Sequence, residues 1–301
     1  MKRAFLSTLL AVVLLGNASA SVVASERDIH AAAQAGDLVR LRALLAGDPE
    51  LIAARTSSGR TPLHAAALSC HADVIAYLLA RGADLGAKDA AGNTPLHVAA
   101  AEGQRAPTAH KSRRAAVKLL LAAGADVNAA NEEGLTTLHL ALARQRDELL
   151  DLLLENGADL KAKDKSGRTP LHYAALGNMT KALTVLLSKQ AEVDAADKLG
   201  NTPLHLAALR FRREATAELL KGGASVDSAN HRGETALHLL ASQSSNEKEV
   251  EPLLVAVAEV LLEHGAAVNQ RAADGTTPLA RALERKHDAL AQLLRRSGGV
   301  K

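Results

Sequence analysis

The sequence predicts an all-α fold built from stacked pairs of short helices. The prediction rests on one stretch, typified by residues 61–89, that recurs through most of the chain. The Thr that opens it stands at Thr61, Thr94, Thr136, Thr169, Thr202, Thr235 and Thr277. Successive copies are 33 residues apart, except for two spacings of 42. A fixed period of this size is typical of proteins that stack similar structural units.

Each copy encodes two helices and a loop. Thr61 is suited to cap the first helix and Pro62 to open it, because the first helical residue needs no backbone N–H partner. Apolar residues at i, i+1, i+4 and i+5 within residues 74–79 predict the buried stripe of a second helix. Gly82 supplies a left-handed residue that ends this helix. The polar residues 83–92 then lead to the next Thr.

This pattern resembles the ankyrin repeat, with its motif Gly-x-Thr-Pro-Leu-His-x-Ala-Ala. The Gly before the Thr, such as Gly92 or Gly200, occurs in all seven copies, and the Leu-His pair occurs in six. The resemblance implies an ankyrin-repeat solenoid of about eight helix-turn-helix units with short β-hairpin-like loops. It also implies that the His of each motif ties neighbouring repeats together through a backbone hydrogen bond. These histidines are His64, His97, His139, His172, His205 and His238.

We expect one repeat domain over residues 27–299. Its first repeat, residues 27–58, is divergent, and its last, residues 275–299, is rich in charged residues, as expected for the end caps of a repeat stack. The repeats between them lie near residues 59–91, 92–133, 134–166, 167–199, 200–232 and 233–274. With ~10 Å per repeat, eight repeats would form a rod roughly 80 Å long.

Two copies carry nine extra residues between their first and second helices. One insertion lies within residues 104–114 and is basic, and the other lies within residues 243–252 and is acidic. Pro252 is suited to start a longer second helix. Insertions in repeat stacks often serve binding, but surface loops also tolerate extra length at little cost. Both interpretations stay open.

The N-terminus resembles an export signal. Lys2 and Arg3 precede an apolar run over residues 4–15, and Ala18-Ser19-Ala20 follows as a small-residue cleavage site. The pattern predicts a secretory signal over residues 1–20 and a short segment over residues 21–26. The apolar run is too short to span a bilayer, so we expect no membrane span in the mature protein.

Composition narrows the range of functions. The formal charge of +3 falls to +1 without Lys2 and Arg3, so overall charge gives no support for binding nucleic acid. The Ala-rich, aromatic-poor composition suggests a bacterial protein, and we expect it in the periplasm, with secretion as the alternative. Cys70 is the only cysteine, so no internal disulfide can form, and its reactivity is left open. We expect a monomer.

No catalytic, cofactor or metal site is predicted. Stacked repeats place equivalent histidines roughly 8–10 Å apart, whereas zinc ligands lie about 2 Å from one ion. The sequence has no nucleophile elbow, phosphate-binding glycine loop or metalloprotease motif. We therefore expect a protein that is not an enzyme and needs no cofactor.

The resemblance implies a protein partner bound by the hairpin tips and the exposed ends of the first helices. Carried onto this sequence, it selects Leu135, Arg144, Lys165, Arg168, Lys198, Leu199, Leu209, Arg210 and Arg232. Cationic groups around exposed apolar residues suit an acidic protein partner, although an ordinary solvated surface also exposes apolar residues.

The function we expect is that of an exported scaffold or inhibitor that binds protein through its concave face. Two alternatives belong to different classes of binding protein. One is a secreted effector that binds host proteins. The other is a periplasmic immunity or stress-protection factor, for example in toxin neutralisation or peroxide defence, that binds one enzyme.

Overall fold

The computed structural model describes residues 25–101, 109–243 and 250–301. The predicted secretory signal lies outside these ranges, as do most of the segment 21–26 and the central parts of both insertions. The chain divides into two compact units, Met1–Glu133 and Gly134–Lys301. Every regular element in the described ranges is helical, so the predicted all-α fold class is confirmed.

The first unit contains paired helices that stack on one another. Its helices are α1 (residues 25–35), α2 (Leu38–Gly47), a 3₁₀ helix (Pro49–Ala53), α3 (Pro62–Ser69), α4 (Ala72–Ala80), α5 (Pro95–Ala101) and α6 (Ala109–Ala122). Within the stack, α3 packs against α5 and α4 against α6, while α3 also packs on α4 and α5 on α6. First helices therefore form one layer and second helices another.

The second unit repeats this arrangement with ten helices in its described residues. They are α7 (Thr137–Ala143), α8 (Asp147–Glu155), α9 (Pro170–Leu176), α10 (Thr180–Ser188), α11 (Pro203–Leu209), α12 (Arg213–Lys221), α13 (Ala236–Ala241), α14 (Glu251–Glu263), α15 (Pro278–Glu284) and α16 (Asp288–Arg296). The odd-numbered helices pack in one layer, and the even-numbered helices pack in the other.

The helices form where the sequence places caps and small residues. Thr202 is the N-cap of α11 with extended backbone, and Pro203 is the first helical residue, as Thr61 and Pro62 are for α3. Ala207 is completely buried, so α11 approaches α9 and α13 closely. The core is therefore made of leucine and alanine rather than aromatic residues.

The second helices are longer in the two repeats with insertions. They span 14 residues in α6 and 13 in α14, against 9 in α12. Pro252 lies in the first turn of α14, where a proline removes no helical hydrogen bond. Arg113, expected as part of a basic insertion, has a fully buried side chain on α6.

The break between the two helices of a repeat is left-handed. Cys70 ends α3 with φ 57°, and its thiol donates to the carbonyl of Ala67 at 3.5 Å. The side chain is buried. Phe211 has the same φ of 57° at the end of α11. Both residues stand where the ankyrin motif usually has glycine, which adopts this conformation without steric cost.

The loop that leads into each first helix is a tight hydrogen-bonded turn. In the loop before α11, the Asp197 amide donates to the Asn201 carbonyl at 2.9 Å, and the Asp197 carboxylate accepts from two further amides of the loop. Gly200 closes the turn with φ 79°. Neighbouring loops are joined as well, because the His231 amide donates to the Leu199 carbonyl at 3.1 Å.

We predict that Gly200→Val destabilises the protein by about 2–3 kcal/mol. A β-branched residue is strained at this φ, and its Cβ would also lie 2.7 Å from the backbone nitrogen of His231. Gly275→Val is the matched control, since Gly275 has the same φ of 79° and no neighbouring atom within 4 Å of an added Cβ. Chemical denaturation compares the two variants. An equal loss for both would contradict a role for loop-to-loop packing.

Candidate functional site

In five of the motifs, a buried histidine joins a first helix to the following loop. In His205, Nδ1 lies 3.1 Å from the Thr202 nitrogen and 2.9 Å from its hydroxyl, while Nε2 lies 2.9 Å from the Glu234 carbonyl. The carbonyl can only accept, so Nε2 carries the proton and Nδ1 accepts from the Thr202 amide. The ring is therefore held in one neutral tautomer.

The same contacts recur along the chain. His64, His139, His172 and His238 reach the carbonyls of Asn93, Arg168, Asn201 and Thr276 at 3.0–3.2 Å. Burial lowers the pKa of these four histidines and of His205, and the backbone hydrogen bond opposes this effect only in part. His97 makes the two contacts to its own Thr94. Within the described residues, no group of three or more His, Cys, Asp or Glu is placed to hold a metal ion.

A second set of polar contacts joins the loops in matched pairs. In each pair, the residue directly before a motif Thr faces the first residue of the next hydrogen-bonded turn. Two of these pairs are ionic, Arg60 with Asp89 at 3.3 Å and Arg168 with Asp197 at 3.6 Å. Two are amide pairs, Asn93 with Asn131 at 2.9 Å and Asn201 with Asn230 at 3.0 Å. Arg168, predicted to bind a partner, therefore already holds a buried carboxylate of its own chain.

Where a pair is mismatched, a helix supplies the missing partner. Leu135 stands opposite Asp164, whose carboxylate instead accepts from the Tyr173 hydroxyl at 2.7 Å. Glu234 stands opposite Ala272, and here Arg281 of α15 provides the counter-charge. Sequence reasoning placed Arg281 among the polar residues of the C-terminal cap, but only about 9% of it is exposed.

Arg281 is the centre of a buried network. Its guanidinium binds the carboxylates of Glu234 and Asp274 and the hydroxyls of Ser242 and Thr276. Burial by itself would raise the pKa of Glu234, but hydrogen bonds from Asn230 and Arg281 outweigh burial and hold that pKa below its usual range. The network therefore keeps a charged carboxylate inside the second unit.

The nine predicted partner-binding residues all lie in the second unit, and the structure brings three of them into one hollow. Leu199, Leu209 and Arg232 line a depression of about 200 Å³ together with Leu239 and His231. We call it the Leu199 hollow. Leu199 has 62% of its surface exposed, while Leu209 and Leu239 are half-buried.

Arg210 lines a separate depression of about 340 Å³, here called the Tyr173 hollow. Its other walls include Leu142, Leu176 and Arg212. The Arg212 guanidinium is fixed by donation to the Leu176 carbonyl at 3.1 Å. The Tyr173 hollow thus combines apolar walls with cationic groups, one of them positioned by the backbone.

The remaining predicted residues line neither hollow. Arg144, Lys165 and Lys198 are exposed, and Leu135 is half-buried. Tyr173 and Leu239 were missed from the sequence. Both stand at the variable position directly after the motif His, which the motif itself does not mark.

Comparison with known proteins agrees with the repeat architecture. The family model for ankyrin repeats (3 copies) matches residues 29–106, 81–164, 106–197, 142–230, 177–256 and 204–301. No curated protein matches the chain in a sequence search. The helix pairs, the Thr–His caps and the extent of these matches together show that the chain belongs to the ankyrin repeat family.

Proposed function

We propose that this protein is an exported, non-enzymatic scaffold or inhibitor that binds a protein partner across the Leu199 and Tyr173 hollows. Ankyrin repeats generally mediate protein–protein interaction, and their proteins are typically not enzymes. The observation that carries the proposal is Leu199, a large apolar residue with 62% of its surface in solvent beside the exposed Arg232. Arginine is enriched among the energetically dominant residues of interfaces, and association would remove the apolar surface of Leu199 from water.

The loops on this face are rigidly supported, which favours a role in binding over the alternative that the face is an ordinary solvent-exposed surface. The loops that carry Lys198 and His231 are linked to their neighbours by backbone hydrogen bonds of 2.8 and 3.1 Å. The motif histidines fix the same loops to the first helices. A surface that is already ordered loses little conformational entropy on association, and more of its contact energy therefore appears as affinity.

Crosslinking in the producing cells tests the proposal. The tagged wild type is compared with Leu199→Ser/Arg232→Glu and with a control, Leu253→Ser/Lys221→Glu, that also replaces one leucine and reverses one positive charge, at exposed positions on α14 and α12. We expect the amount of one crosslinked protein, measured by mass spectrometry, to fall about tenfold or more for the first variant only. Equal recovery from all three proteins would refute this face as the binding site.

We propose export to the periplasm because residues 1–20 have the pattern of a secretory signal. Lys2 and Arg3 are followed by an apolar run and then by Ala-Ser-Ala. We expect a C-terminally tagged protein in the periplasmic fraction, with residues 1–20 removed. Immunoblotting of cell fractions and culture medium checks this, and a Lys2→Glu/Arg3→Glu variant should remain inside the cell. Protein recovered mainly from the medium would instead favour the secreted effector, and uncleaved protein in the cytoplasm would contradict export.

A further inference from the structure

Resting on the proposed function, we infer that the partner is held through one linear, acidic segment that places an apolar side chain in each of the two hollows. The proposal therefore specifies the chemistry of the partner, rather than only the face that it covers. It follows from the size of the hollows, from the state of their polar groups and from the charges around them.

The hollows suit side chains better than a small-molecule ligand. Pockets for drug-sized ligands usually measure about 300–1,000 Å³ and carry a few polar groups that fix the ligand. The Leu199 hollow, at about 200 Å³, falls below this range. The Tyr173 hollow, at about 340 Å³, lies at its lower end. Each therefore offers room for one large apolar side chain.

Apart from the exposed Arg210, Arg232 and His231, the polar side chains that line the hollows are already engaged. In the Leu199 hollow, the Asn230 amide donates to Asn201 and Glu234, and Glu234 is bound by Arg281. In the Tyr173 hollow, the Tyr173 hydroxyl donates to Asp164. An incoming group consequently meets leucine side chains and the tyrosine ring, so a buried anchor must be apolar.

The two hollows are neighbours at the end of α11. Leu209 lines one hollow and Arg210, the next residue, lines the other. The spacing of stacked helices, about 8–10 Å, equals roughly three residues of extended chain or about six residues of a helix. A single segment is therefore long enough to fill both hollows.

Among the side chains that line the hollows or adjoin Leu199, the exposed charges are positive, namely Arg210, Lys198 and Arg232. Three carboxylates near the hollows, those of Asp164, Asp197 and Glu234, are buried and engaged with Tyr173, Arg168 and Arg281. The exposed carboxylate of Glu214 accepts from the Asn178 amide. A segment with carboxylates around its anchors is thus complementary to this face, and a basic segment is repelled by it.

A phage-displayed library of random 16-residue peptides, selected on the full-length protein, tests the inference. We expect the enriched peptides to carry a net negative charge and two large apolar residues at a recurring spacing. Measured by fluorescence anisotropy, their affinity should fall at least tenfold for Leu199→Ser and for Arg210→Glu. It should not change for the matched controls Leu253→Ser and Lys221→Glu. The affinity should also weaken as salt is raised.

Enriched peptides that are neutral or basic, or that bind Leu199→Ser and Arg210→Glu as tightly as the wild type, would overturn the inference. So would a library that yields no binder. Those outcomes leave the crosslinking result standing, because a folded partner surface can occupy this face without any linear segment. If the peptide selection succeeds but the wild type and the Leu199→Ser/Arg232→Glu variant crosslink equally, the proposed function in cells is refuted. The inference that this face binds acidic peptides would then still hold.

Discussion

Lowering the pH from 7 to 5 is expected to remove several kcal/mol of folding free energy. Burial holds the pKa of five motif histidines below that of a free histidine, as described for His205 and its four equivalents. As the pH falls below about 6.5, the unfolded chain takes up more protons on these rings than the folded protein does. The contribution of these neutral rings to the free energy of unfolding is therefore fully present above that pH and is lost as the pH falls below it. Each ring that stays neutral contributes up to about 1.4 kcal/mol per pH unit.

Urea denaturation followed by circular dichroism at several pH values measures this slope. His205→Gln should flatten the slope by up to one proton while lowering stability at pH 7, because its hydrogen bond to the Glu234 carbonyl is weakened or lost. His231→Gln is the control, since His231 is exposed in a loop. Stability that stays constant between pH 7 and 5 would contradict the neutral-histidine arrangement.

The second large effect is expected at Arg281. Arg281→Ala removes the counter-charge from Glu234, whose side chain is only 10% exposed. Removing one partner of a buried ion pair typically costs about 3–5 kcal/mol, because the remaining charge is left without compensation. We expect a loss near 3 kcal/mol in urea denaturation, since the Asn230 amide still donates to Glu234.

A double-mutant cycle separates the charge effect from loss of packing. In Arg281→Leu/Glu234→Leu the unpaired charge is absent, so we expect it to be more stable than Arg281→Leu alone. Arg296→Ala, at an exposed position on α16, should change stability by less than about 0.5 kcal/mol. A double variant less stable than Arg281→Leu would show that packing, rather than compensation of charge, governs this position.

The fold was predictable because its determinants are local in the sequence. Where the motif is complete, its Thr, Pro and His lie within four residues, and their spacing alone identifies the start of a first helix, as at Thr202. The apolar stripe of the second helix is equally local. A fixed period of 33 residues then implies that these units stack, and the helix pairs of both compact units agree with it.

The candidate site was less predictable because its residues depend on contacts between repeats. Arg168 was assigned to partner binding, yet its guanidinium faces Asp197, 29 residues away. The sequence places Arg281 in the charged C-terminal repeat, and only the structure shows that its guanidinium contacts Glu234, 47 residues earlier. Tyr173 and Leu239 occupy a variable motif position, so nothing in the motif marks them as walls of a hollow. Side-chain pairing across 29–47 residues is a property of the assembled stack.

The matched loop pairs also limit how this gene can be shortened or extended by recombination between its similar segments. Deleting residues 169–201 would preserve the period of 33, yet it would bring the guanidinium of Arg168 opposite Asn230 instead of Asp197. An ionic pair and an amide pair would both be lost, and one mismatched pair would replace them. Although the repeats share one backbone conformation, the side chains of each loop match those of the loops before and after it. The order of the repeats in the gene is therefore constrained.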